Sequence, residues 1–79
     1  MLGFFFDFLD SGIFERDDEG YECRDLPHAR KEAIATLGAM ARDDFRNGAE
    51  RDFQCSVRDD GGNVLITADL MLRIVAQPA

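Results

Sequence analysis

Residues 52–75, DFQCSVRDDGGNVLITADLMLRIV, decide the fold of this chain. In the first run Phe53, Cys55 and Val57 fall on one face, with Gln54, Ser56 and Arg58 on the other. In the second run Val64, Ile66, Ala68, Leu70, Leu72 and Ile74 share a face opposite Thr67, Asp69 and Arg73. Between them stands Asp59-Asp60-Gly61-Gly62-Asn63, a run of turn-forming residues. Apolar residues at every second position on both sides of such a turn predict a half-buried antiparallel hairpin, with strands over about 52–58 and 63–75.

The segment before the hairpin switches to helical spacing. Leu26, Ala29, Ala33, Ile34, Leu37, Met40, Ala41 and Phe45 recur three and four residues apart, with Arg30, Lys31, Glu32 and Arg42 outside the stripe. Asp25 is placed to cap the free N–H groups of the first turn, and Pro27 falls where a missing N–H costs little. The spacing predicts a helix over about 26–46, closed by Asn47-Gly48. Gly38 interrupts it, and a close approach of the helix backbone to the sheet is the expected reason. Asp43 and Asp44 sit at the negative end of the helix dipole, where Arg42, Arg46 and Arg51 are positioned to offset them.

Further toward the N-terminus, residues 3–9 alternate as a strand: Phe4, Phe6 and Phe8 point one way, and Phe5, Asp7 and Leu9 the other. Three aromatic rings on one face are too much apolar surface to leave in water, so that face is read as core. Asp10-Ser11-Gly12 marks a turn, and residues 13–16 return as a short second strand. Asp17-Asp18-Glu19-Gly20 is another turn, followed by extended Tyr21-Glu22-Cys23. The tail Ala76-Gln77-Pro78-Ala79 is expected to fray. The fold class is therefore α+β over residues 1–79: a two-layer ββαββ domain, one amphipathic helix on a four-stranded antiparallel sheet.

One helix covers one side of a sheet. The second side would carry Phe5, Leu9, Leu65 and Met71 among polar residues, an unusually apolar composition for a solvated face. These residues form the candidate partner interface, with a protein partner or a second copy of the chain as the cover.

Charge narrows the choice of partner. Sixteen acidic residues against nine basic ones give a formal charge of −7, which argues against a nucleic-acid backbone and against an anionic membrane surface. The apolar fraction of 46% with seven Phe belongs to a folded chain, not a disordered one. Residues 3–9 lack the basic flank of a signal peptide, and no stretch approaches the roughly 20 apolar residues of a membrane span. Cys23 and Cys55 lie far apart without metal-ligand spacing, so a cytoplasmic location with reduced thiols is expected.

Three groups of residues invite a chemical reading. Cys23 and His28, the one histidine, could pair as thiol and imidazole near the helix N-terminus, which would make a small enzyme or ligand-binding protein. A first-turn histidine beside a half-buried cysteine is the simpler expectation. The acidic turn at Asp17, Asp18 and Glu19 lacks the D-x-[DN]-x-[DN]-G spacing and distal Glu of a calcium loop, so a solvated turn is expected. The Phe cluster could stack bases, but base-stacking sheets carry basic flanks and this chain is acidic. No catalytic, cofactor-binding or metal-binding residue is assigned.

The passages Phe4-Phe5-Phe6-Asp7-Phe8, Arg16-Asp17-Asp18-Glu19-Gly20, Asp25-Leu26 with Ala29 and Glu32-Ala33, and Val57-Arg58-Asp59-Asp60-Gly61-Gly62 with Val64-Leu65 together resemble a family of short, uncharacterised bacterial proteins. That family is common in soil alphaproteobacteria and is classed as a domain of unknown function. The resemblance spans nearly the whole chain and implies no activity. Asp25-Leu26-Pro27 leading into Glu32-Ala33 is also similar to the passage between hairpin and helix in HicB-type antitoxins. That second likeness covers the first half only. His28 and Ala29 stand where those proteins carry Gly and Cys, and a C-terminal DNA-binding segment is not expected.

Overall fold

In the computed structural model, residues 2–48 and 50–78 are described. The elements are β1 (Leu2–Asp10), β2 (Ile13–Glu15), β3 (Tyr21–Cys23), α1 (Leu26–Arg46), β4 (Asp52–Arg58) and β5 (Val64–Met71). The class is α+β as expected, but the sheet has five strands in place of four, and the element order is βββαββ. The fifth is Tyr21–Cys23, which the sequence marks only as extended. It completes its hydrogen bonds on β1, opposite Leu2–Phe4.

All pairings are antiparallel, in the order β2-β1-β4-β5, with β3 also on β1. β2 and β3 both use the same side of β1, β2 opposite residues 8–10 and β3 opposite residues 2–4. They act as one edge strand broken by the turn at residues 16–20. β1 and β2 are joined by Ser11 and Gly12 alone, both at positive φ (47° and 94°), which is the two-residue turn whose twist matches paired strands.

The helix ends where the sequence places it. Asp25 Oδ1 accepts the His28 N–H at 2.9 Å, and Asn47 forms the C-cap, followed by Gly48 at φ 78°. Its buried stripe is Ala29, Ala33, Leu37 and Ala41, four residues apart. Three of the four are alanines, so the helix lies close on β4 and β5 and touches β3. These side chains meet Phe4, Cys23, Phe53, Cys55 and Val57, with Phe6, Phe8, Met40, Phe45, Ile66, Ala68 and Leu70 packed around them. Phe45 meets Phe53 edge to face at 6.2 Å between centroids.

Three expectations about this layer need correction. Ile34 is half exposed, because it lies off the four-residue ridge that touches the sheet. Gly38 faces open space, with nothing within 4 Å of where a Cβ would stand, so close packing does not explain it. Val64 does not share the core with Ile66, because the register shifts between Val57 and Arg58: Val57 opposes Ile66 while Arg58 opposes Val64. β5 also ends at Met71, short of the expected residue 75, although the Leu72 N–H still reaches the Arg51 carbonyl. Ala79, the last residue of the tail expected to fray, lies outside the described residues, and Ala76–Pro78 form no regular element.

Candidate interaction surface

The sheet face turned away from the helix is built in cross-strand rows. Phe5 opposes Arg58, Asp7 opposes Ser56, and Leu9 opposes Gln54 on β4 and Phe14 on β2. On β5 the rows continue through Thr67, Asp69 and Met71. The face divides into two zones of different character.

The first zone is closed. Arg58 Nε donates to Asp7 Oδ2 at 2.8 Å, its guanidinium lies 4.6 Å from the Phe5 ring centroid, and Nη2 donates to the Asp17 carbonyl. The Asp17 N–H donates to Asp7 Oδ1 at 2.9 Å, and the Asp17 carboxylate accepts the N–H groups of Phe6, Glu19 and Gly20. Only 8% of Asp7 and of Arg58 is exposed. Burial opposes ionisation of Asp7, but the Arg58 guanidinium and the Asp17 N–H outweigh it and hold the carboxyl below its ordinary value. Asp17 follows the same pattern: burial raises it, and three backbone N–H donors with Arg58 bring it below that value. The turn that the sequence marks as solvated is thus pinned to the sheet by Asp17. Gly20, at φ 80°, takes a left-handed conformation that favours glycine, and a Cβ there would also crowd the Phe5 ring at 3.1 Å.

The second zone is open. Leu9, Ser11, Gly12, Asp52, Gln54, Asp69 and Met71 line a shallow depression of about 270 Å³. Gln54 Nε2 donates to Asp69 Oδ1 at 2.8 Å across its floor. At the rim Met71 is 60% and Phe14 62% exposed. Phe14 is absent from the set the sequence singles out, yet the two-residue turn at Ser11-Gly12 fixes its register opposite Leu9.

The four candidate residues therefore separate. Leu9 and Met71 share the open zone. Phe5 is half-buried under Arg58 and belongs to the closed zone. Leu65 skips the β4–β5 register at the bulge and lines a different depression, of about 310 Å³, with Leu2, Gly3, Phe4, Leu26, Asp59 and Asp60.

Cys23 and His28 do not pair. His28 Nδ1 accepts the Arg24 N–H at 3.0 Å, and Nε2 lies 3.5 Å from Glu32 Oε1. Cys23 is fully buried, and burial, then Glu32 and Asp25, push its thiol up. Burial and Asp7 push Cys55 up to about 11. Both thiols are free and both are held as the unreactive protonated form. Among the described residues no group of three or more His, Cys, Asp or Glu is placed to hold a metal ion, and no helix is long and apolar enough to cross a membrane.

The sequence model of a family described as Domain of unknown function (DUF6894) matches residues 3–71. The chain belongs to the DUF6894 family. The matched span runs from the first strand to the end of β5, so it includes every element of the DUF6894 fold described above. No curated protein and no solved structure matches the chain.

Proposed function

We propose that this DUF6894 chain is a non-catalytic interaction module that associates with itself or with a protein partner in the cytoplasm. The observation that carries the reading is the open zone: Phe14 and Met71 stand in water beside Leu9 on a sheet face that has no helix. A chain of 79 residues has little apolar surface to spare, and leaving two large side chains at its rim is costly unless they are covered in use. The acidic rim at Asp52 and Asp69 favours a basic or neutral partner over nucleic acid or an anionic membrane. Two unpaired, buried cysteines fit a reducing compartment.

Support for leaving catalysis out comes from Cys23, which has neither access to solvent nor the His28 ring as a base. The two depressions, of about 270 and 310 Å³, sit at the lower limit of ordinary ligand pockets, roughly 300 Å³. The likeness of Asp25-Leu26-Pro27 to HicB-type antitoxins, confined to the first half of the chain, is in keeping with a small regulator that acts by holding another protein. Sedimentation of the labelled chain, alone and in an extract of its host, tests the reading. The expected result is a species heavier than the monomer that Phe14→Ser and Met71→Ser shift back toward it, with thermal unfolding unchanged. A chain that sediments as a monomer in both settings overturns it.

A further inference from the structure

We propose that a second copy of the chain adds to the outer edge of β5, antiparallel, about a two-fold axis at Met71. The inference rests on the interaction reading above and assigns self-association to the strand edge that borders the open zone at Met71; Phe14, on β2, lies outside it.

The two edges of the sheet differ. The β2/β3 edge is interrupted at residues 16–20 and carries Glu15, Asp18, Glu19 and Glu22, which blunts it against another strand. The β5 edge runs unbroken over Val64–Met71, with Asp69 its one charged residue. The Leu72 N–H donates to the Arg51 carbonyl, so residue 72 is a hydrogen-bonded partner of the β4 side. Alternation then turns the backbone N–H and C=O groups of Thr67, Asp69 and Met71 outward, where no strand among the described residues receives them.

The chain beyond β5 keeps the same direction. The Ile74 N–H donates to Glu50 Oε1 at 2.6 Å, two residues on from Leu72. Ile74 and Val75 are 68% and 66% exposed. The segment after β5 stays beside residues 50 and 51 through Leu72 and Ile74 while its apolar side chains remain in water.

Among two-fold registers that match outward-facing groups, the residue at the axis decides what meets. An axis at Asp69 sets two carboxylates face to face. An axis at Thr67 or Ala68 leaves Ile74 and Val75 in water, and an axis at Leu70 sets Asp69 opposite Met71, with no charge to meet it. An axis at Met71 sets Asp69 opposite Arg73 of the other copy, twice by symmetry, and removes both repulsion and exposure. In that register Leu70 faces Leu72, Ala68 faces Ile74 and Thr67 faces Val75 of the other copy. Leu70 and Ala68 already border the core, so Leu72 and Ile74 extend it across the junction. The pairing is isologous and closed, as a stable dimer requires.

Two measurements on the full-length chain test the register. In an antiparallel hydrogen-bonded pair the two Cα atoms at the axis stand roughly 5.5 Å apart, within disulfide reach. Met71→Cys is expected to form a covalent dimer with copper phenanthroline. Thr67→Cys is not, because its two copies would lie about 27 Å apart, eight residues at about 3.4 Å each. In sedimentation equilibrium, Asp69→Arg is expected to weaken the dimer by about tenfold or more, and Asp69→Arg with Arg73→Asp to restore it. Circular dichroism confirms that each variant is folded. A dimer that ignores the charge reversals, or that cross-links through Thr67→Cys, overturns this surface and leaves self-association standing. A wild-type chain that is monomeric alone overturns this surface, and one that is monomeric in host extract as well overturns the interaction reading too.

Discussion

Asp7 on β1 and Arg58 on β4 bond diagonally across the sheet: Arg58 is the direct neighbour of Phe5, yet it reaches past that ring to grip Asp7 with two nitrogens. The diagonal carries the guanidinium over the Phe5 ring and lets Nη2, which has two N–H groups, donate to the Asp17 carbonyl as well as to Asp7 Oδ1. One arginine thereby fixes β1, β4 and the turn between β2 and β3. Each bond also satisfies a charge that the sheet would otherwise bury unpaired.

Asp7→Ala removes the carboxylate and leaves a buried guanidinium without its main partner. The expected loss is about 3 kcal/mol of unfolding free energy, read from urea denaturation. The double substitution Asp7→Leu with Arg58→Met removes both charges and is expected to recover most of that loss. A double variant as unstable as the single would show that the pair itself, and not the stranded charge, holds the turn.

Acid weakens the same network. Asp7 and Asp17 have folded pKa values below the ordinary 3.8, so each binds its proton more readily when the chain is unfolded. Their contribution is complete above that value and is lost as pH falls through the lower folded values. Thermal midpoints are expected to hold from neutral pH to just above 4 and then to drop. Asp7→Asn should flatten part of the drop.

Gly38→Ala is expected to stabilise the chain by about 1 kcal/mol, the ordinary helical preference for alanine over glycine. The added methyl group meets nothing within 4 Å. A loss of stability on this substitution would show that the position is covered by something outside the single chain.

Cys23 and Cys55 should react with Ellman's reagent at pH 8 only as fast as the chain opens. Both are fully buried, and Cys55 titrates near 11. In urea both should react within the mixing time of the unfolded thiol. Rapid labelling of the folded chain would place one of them at the surface.

The DUF6894 fold was readable from local chemistry wherever one residue's neighbours in sequence were also its neighbours in space. The hairpin, the helix between Leu26 and Arg46, the Asp25 cap and the inward face of Phe4, Phe6 and Phe8 all follow from spacing and turn chemistry. β3 was missed because three residues carry no periodicity of their own; their strand character comes from β1 lying alongside. The candidate surface was half legible. Leu9 and Met71 follow from alternation, whereas Leu65 was displaced by a bulge and Phe5 was covered by a residue 53 positions away.

Sequence alone determined the helix and its caps, the hairpin, the inward side of β1 and β4 and the acidic charge, because these are set by residue type and a period of two or 3.6. Tertiary structure alone decided that Asp7, Asp17 and Arg58 converge, that one sheet edge is broken and the other bare, and which apolar residues remain in water. Those outcomes depend on pairing between distant segments, and a one-residue slip at Val57 and Arg58 is enough to change which side chains face the solvent.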